Sequence, residues 1–200
     1  MKQKKKIVIL HVILSKGYAG SEKYVLDLVR YQNKDHKVFL AILKRNRILK
    51  NYIDNKIKTF EIGNFFKKYR IKNLIKKIKP HIVHTHLGEA AKSVNKSTDY
   101  KTISTMHFNY RADIYKNSDA IIVSNSTQFN QIKKNFNGKI FRSNLWVNLP
   151  KVNIVKSKLK KILKIPSNNF IFGSIGRFHP QKGFDIIIKI FKDLKLKNCT

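Results

Sequence analysis

Acidic residues are scarce in this 200-residue chain: 11 Asp and Glu stand against 43 Lys and Arg, a formal net charge of +32. A field so one-sided draws anions, whether nucleic acid, acidic lipid or nucleotide phosphate. Lys, Ile and Asn dominate throughout, as translation of an AT-rich genome would give, so codon drift on a solvated surface is an equally good source of the excess. Cysteine is nearly missing. The lone Cys199 excludes a disulfide framework within the chain and suits a reducing cytoplasm. No apolar run approaches the roughly 18–20 residues of a membrane span. The basic start, Met1 to Lys6, followed by Ile7–Leu14 has the outline of a signal peptide. However, His11 interrupts the apolar run and no small-residue cleavage site follows, so a buried first strand is the better reading. What is present excludes disorder, since 42% of the residues are hydrophobic and 11% aromatic.

Short apolar runs bounded by polar residues read as strands covered on both faces: Ile7–Leu14, Val38–Leu43, Ile57–Ile62, His81–His86, Thr102–His107, Ala120–Ser124 and Phe170–Ile175. Segments of helical period lie between them, at Ser21–Gln32, Phe65–Lys79, Thr127–Phe136 and Lys182–Leu194. Pro80 closes the second of these, which is basic on one side and apolar on the other. The alternation predicts an α/β fold, a doubly wound parallel sheet of Rossmann-like type. It breaks near Asn144–Lys151, where Trp146 and Pro150 stand, and a short basic helix over Ser157–Leu163 follows. The expected domains are therefore 1–150 and 151–200, the latter a linker plus the first βα unit of a similar domain. Such a unit cannot bury both faces of a sheet. Either it packs on the first domain or the protein continues past Thr200.

Four stretches carry polar residues where such a fold binds ligands. Ser15-Lys16-Gly17-Tyr18-Ala19-Gly20-Ser21-Glu22 joins the first strand to the first helix. Glycine there lets a ligand approach the backbone, and the helix N-terminus offers free N–H groups to a phosphate; a loop needing two flexible positions is the plainer explanation. In Pro80-His81-Ile82-Val83-His84-Thr85-His86, His84 and His86 share a face, which raises a metal pair. No Asp, Glu or Cys stands at a matching spacing, so no metal is expected. His84 reads as a core residue and His86 as a group at the ligand-binding end of the strand. His107 closes the next strand and can meet a hydroxyl or phosphate, or lie in the core. Gly176-Arg177-Phe178-His179-Pro180-Gln181-Lys182-Gly183 places two cations beside a helix start, an arrangement suited to a diphosphate.

This last stretch resembles the G-R-x-x-x-x-K-G motif that opens the second domain of family 4 retaining glycosyltransferases of the GT-B fold. Ala19-Gly20-Ser21-Glu22 is similar to that family's glycine-rich first loop, Pro80–His86 to its P-D-x-V-H-x-H strand, and Thr105-Met106-His107 to the strand closing on an acceptor-site histidine. Ala120–Ser124 resembles the strand before its interdomain region. The likeness spans nearly the whole chain. It departs at His81, where the family has Asp, and at Ser143–Asn148, where the family has a P-N-G-V-D-like hinge. The family's acidic E-x₇-E element has no counterpart in these 200 residues.

The resemblance implies transfer of a sugar from a nucleotide-sugar to a glycan or lipid-linked acceptor in envelope glycolipid, lipopolysaccharide or polysaccharide synthesis. It implies no cofactor and no metal. Gly20, Arg177 and Lys182 would meet the donor, His86 would stand on the acceptor side, and His107 would line the sugar and acceptor. The Phe65–Lys79 helix could rest on an anionic membrane, placing the protein in the cytoplasm or on the inner face of its membrane, or could be an ordinary surface helix. Two other readings compete: an inactive fragment that binds membrane or a partner, and a nucleic-acid-binding protein. The second is disfavoured, because the basic residues are spread through every element and no binding module is recognised.

Overall fold

The computed structural model describes residues 6–144 and 155–194. Trp146, Pro150, Cys199 and most of the expected boundary and hinge lie outside the described residues. The chain divides into two compact units, Met1–Val147 and Asn148–Thr200.

The first unit holds a seven-stranded, wholly parallel sheet in the order β3-β2-β1-β4-β5-β6-β7. Its strands are β1 (Val8–Ile13), β2 (Lys37–Leu43), β3 (Lys58–Ile62), β4 (Ile82–His86), β5 (Lys101–Thr105), β6 (Ala120–Val123) and β7 (Lys139–Arg142). The first three run outward from β1. The chain then returns to lay β4 on the other side of β1, which makes the β1/β4 seam the point where the winding direction reverses.

Helix α1 (Gly20–Gln32) covers one face of this seam, packing Tyr24, Val25, Leu28 and Val29 on Ile9, Ile13, Leu40 and Ile42. Helices α3 (Lys67–Ile78) and α4 (Leu87–Ser93) cover the other, where Ile71, Leu74 and Ile75 meet Leu10, Val12, Phe39 and Val83. A third cluster, Met106, Ile121, Val123 and Ile132 among others, lies under α6 (Ser126–Lys133). Burial on both faces is what the unbroken apolar strand runs demand.

The periodic segments form as expected within a residue or two, except that the helix expected to reach Phe136 ends at Lys133. The short helices α2 (Arg47–Lys50), α4 and α5 (Ala112–Tyr115) were not foreseen, because one or two turns give no helical period to detect. Nor was β7, an edge strand whose side chains are mostly exposed and so carry no apolar run.

The second unit contains α7 (Lys156–Ile162), a 3-10 turn at Pro180–Lys182 and α8 (Phe184–Leu194). The strand expected at Phe170–Ile175 does not form: only Phe170 makes a single bridge and the following residues are irregular. A strand exists by its neighbour's hydrogen bonds, and the described residues of this unit offer no second strand.

Candidate functional site

Open parallel sheets bind ligands at the carboxyl ends of their strands, where the winding reverses. Here that place is the carboxyl end of β1 and β4, and several polar groups converge on it.

The loop from Ser15 to Ala19 leaves β1 and enters α1. It is fastened from the side by Asn46, which is 1% exposed. The Asn46 side-chain amide donates to the Ser15 carbonyl at 3.0 Å and the Gly17 carbonyl at 2.8 Å, while its Oδ1 accepts from the Leu49 N–H and caps α2. Tyr18 stacks on Tyr52 with ring centroids 4.1 Å apart, a second tie between the same elements. Sequence reasoning missed Asn46, although an Asn before Arg47-Ile48-Leu49 has the pattern of an N-cap.

Gly20 is the first residue of α1. Its backbone is not left-handed, and a Cβ built there would meet nothing within 4 Å. Flexibility is therefore not its contribution; it leaves open space beside a helix N-terminus. Two turns of chemistry follow from Glu22, buried to 3% exposure, whose Oε2 accepts from the Ala19 N–H at 2.8 Å and the Ser21 hydroxyl at 3.0 Å. The carboxylate thus sits in the first turn of α1, where the helix dipole favours it.

Three imidazoles gather on the face covered by α1. His11 of β1 pairs in register with His84 of β4, and His86 lies two residues on, so all three point the same way. All are buried. His11 Nδ1 lies 3.0 Å from His86 Nε2, His11 Nε2 lies 2.7 Å from Gln32 Oε1, and His84 Nε2 lies 2.7 Å from the Thr105 hydroxyl. His84 is thus the core residue the sequence suggested. Burial pushes the His11 pKa down to about 4, only partly opposed by the Gln32 hydrogen bond. His84 and His86 are likewise held well below the usual histidine range, by burial first and by neighbouring imidazoles second.

His107, two residues past β5, presents its ring edge to Tyr24 at 5.7 Å and lies 6.2 Å from the His86 ring. Burial lowers its pKa, and the charge of Glu22 works in the opposite direction. Its Nε2 is buried without a hydrogen-bond partner, as is Nδ1 of His86. The structure therefore brings His86 and His107 together beside the first turns of α1, with Tyr24 against both rings. Gly20 stands at the head of that helix.

Ligand nitrogens of His11, His84 and His86 lie within 4.8 Å of one another. The sequence offered only the His84–His86 pair, because the third imidazole comes from a strand more than 70 residues away.

Arg177 and Lys182 belong to the second unit. Both are exposed, and neither side chain makes an ion pair or hydrogen bond among the described residues. Gly183, at φ 61°, closes the 3-10 turn before α8, a left-handed position that suits glycine. Two open cavities flank α3, and one of them, of about 610 Å³, is lined by Lys72, Lys76, Lys79 and Lys96 among others.

The fold is shared with a solved glycosyltransferase and with a protein solved in complex with UDP. A glycosyltransferase from Rickettsia africae superposes with a TM-score of 0.78 at 20% identity, over 98% of this chain and 60% of that one. The Anabaena protein Alr3699/HepE in complex with UDP and glucose matches with a TM-score of 0.70 at 14% identity, over 97% of this chain and 59% of that one. The same protein in complex with UDP-glucose gives 0.69 at 14%. This chain thus spans about 60% of the length of the solved structures it matches. No family model and no curated protein sequence matches it.

Proposed function

We propose that this chain is the acceptor-side part of a nucleotide-sugar-dependent glycosyltransferase. The observation that carries the reading is the gathering of His86, His107 and the head of α1 at the reversal point of the sheet. That fold is shared with a protein whose structure holds UDP and glucose. In this reading the open space at Gly20 admits the donor near the helix N-terminus, and His107 and His86 meet hydroxyls of the sugar or acceptor. Arg177 and Lys182 neutralise the diphosphate as it leaves, the task a divalent cation performs elsewhere. The motif resemblance extends this to a family 4 enzyme that needs no metal and retains configuration at the transferred carbon.

Calorimetry with UDP-glucose in the presence of a chelator tests the donor half. Saturable binding that Arg177→Ala with Lys182→Ala weakens at least tenfold supports it. Strict dependence on an added cation counts against it, and an inverted product would remove the retaining assignment.

The acceptor is proposed to be lipid-linked, and the protein peripheral on the inner face of an anionic membrane. Among the described residues, no helix is long and apolar enough to cross one. Phe65 and Phe66 are each 79% exposed beside Lys67, Lys68 and Arg70 at the start of α3, directly after β3. Aromatic and cationic groups side by side suit a headgroup interface, each well-placed cation adding about 1 kcal/mol. The loop after β3 emerges at the same sheet edge as the loop after β1, so a membrane there would lie near the proposed acceptor site. The same observation favours a second reading, a membrane-binding chain without transfer activity; sedimentation with anionic vesicles and no UDP-glucose binding would select it.

A further inference from the structure

The hydrogen bonds around His11 fix more than its position. We propose that Gln32 and His11 are positioning residues. Together they hold His86 in the tautomer whose Nδ1 carries a lone pair, making that atom an acceptor for a ligand hydroxyl at the carboxyl end of β4.

The ring protons are set one after another along a chain of hydrogen bonds. Gln32 Oε1 can only accept, so His11 Nε2, at 2.7 Å, must be the donor and carries the ring's single proton. His11 Nδ1 is then a lone pair. It lies 3.0 Å from His86 Nε2, which must therefore donate to it. A neutral imidazole has one N–H, so His86 Nδ1 is left unprotonated, and burial keeps both rings neutral. That Nδ1 is fully buried and has no partner. Reversing the Gln32 amide would reverse every bond in the chain and leave an orphaned N–H at His86, the rarer kind of defect in a protein interior.

A buried polar atom without a partner calls for an explanation, and here there are two side by side. His86 Nδ1 and His107 Nε2 stand at the ends of neighbouring strands with their rings 6.2 Å apart. Both lie by α1, at the sheet edge where ligands bind in folds of this type. Gln32 is the last residue of α1, at the far end of the helix from Gly20. The foot of α1 therefore sets what its head can receive. A cation among His11, His84 and His86 would need the lone pair that the His11–His86 bond already uses.

The ligand-facing half of this inference rests on the transferase reading, but the tautomer is read on resting protein without any sugar nucleotide, so the two fail separately. Long-range proton–nitrogen correlation on the ring nitrogens of the full chain is expected to show His11 and His86 each protonated at Nε2 only. Gln32→Leu should abolish that single pattern and put a proton on His86 Nδ1, while Gln32→Glu, which keeps the acceptor, restores it. A purely structural Gln32 would leave the His86 tautomer unmoved in Gln32→Leu, and that outcome overturns the proposal. So does protonation of His86 Nδ1 in the unaltered protein, which needs no variant to fold. So too does recovery of stoichiometric zinc with the three imidazoles. On titration with UDP-glucose or glucose the His86 Nδ1 resonance should move. An unmoved resonance where calorimetry records binding sinks its acceptor role, whereas no binding of either sugar sinks the transferase reading.

Discussion

At the residue scale the seam between β1 and β4 is an uncharged island in a strongly basic protein. Its histidines bind a proton less readily folded than unfolded. In such a case the unfolded chain takes up more protons as pH falls, so stability is complete above the unfolded value near 6.5 and is lost toward the folded one. For His11 that window runs from about pH 6.5 to about pH 4. Full protonation would cost roughly 3 kcal/mol from this ring alone. Urea unfolding at a series of pH values should show a falling midpoint across the window, and His11→Gln should flatten the slope. A midpoint constant from pH 7 to 4 would mean the rings are not held neutral. Asn46 offers a second prediction. Asn46→Ala removes donors from two carbonyls and a cap from α2, so a loss of about 2 kcal/mol is expected. Asn46→Asp keeps the cap and should recover part of it, as thermal melts would read.

Among the elements, α3 shows where fold and function pull apart. Its N-cap, Phe66, is left-handed at φ 55° although it is not glycine, and its ring is mostly in solvent. The left-handed region costs a side-chain-bearing residue roughly 1 kcal/mol or more. Phe66→Gly should therefore raise stability by about 1 kcal/mol, since little packing is lost. If the ring serves a bilayer interface, the same change weakens sedimentation with anionic vesicles without altering its salt dependence, which the neighbouring lysines set. A variant both more stable and equally membrane-bound would remove Phe66 from the interface. The strands and long helices of this face were legible because burial on both sides of a sheet writes itself as unbroken apolar runs, as at Ile7–Leu14. Two-turn α4 and edge strand β7 write nothing of the kind. The site was legible only in part. His84, His86 and His107 stand out in or just past their own strands, whereas the tie of His86 to His11, and through it to Gln32, exists only once the chain has returned to lay β4 beside β1.

At the scale of the molecule, the two units differ in how they hide their apolar side chains. The first distributes them into three clusters on the faces of one sheet. The second leaves Phe170, Ile175, Phe178 and three isoleucines of α8 exposed among its described residues. The sequence foretold only part of this: a single βα unit cannot bury both faces of a sheet, but Phe170–Ile175 has the composition of a buried strand, and composition does not say whether a neighbouring strand is present. Local opening follows buried contacts, so protease sensitivity should follow the same division. Brief trypsin treatment of the native chain is expected to cut first at exposed lysines of the second unit, such as Lys161 or Lys164. It should spare α1 and α3, although α3 is crowded with lysines, and mass spectrometry should find a persistent fragment ending near Arg142. Early cleavage within α3 would show that its basic face opens on its own. Protection of the second unit by added UDP-glucose would show, by linkage, that the ligand binds and orders that unit.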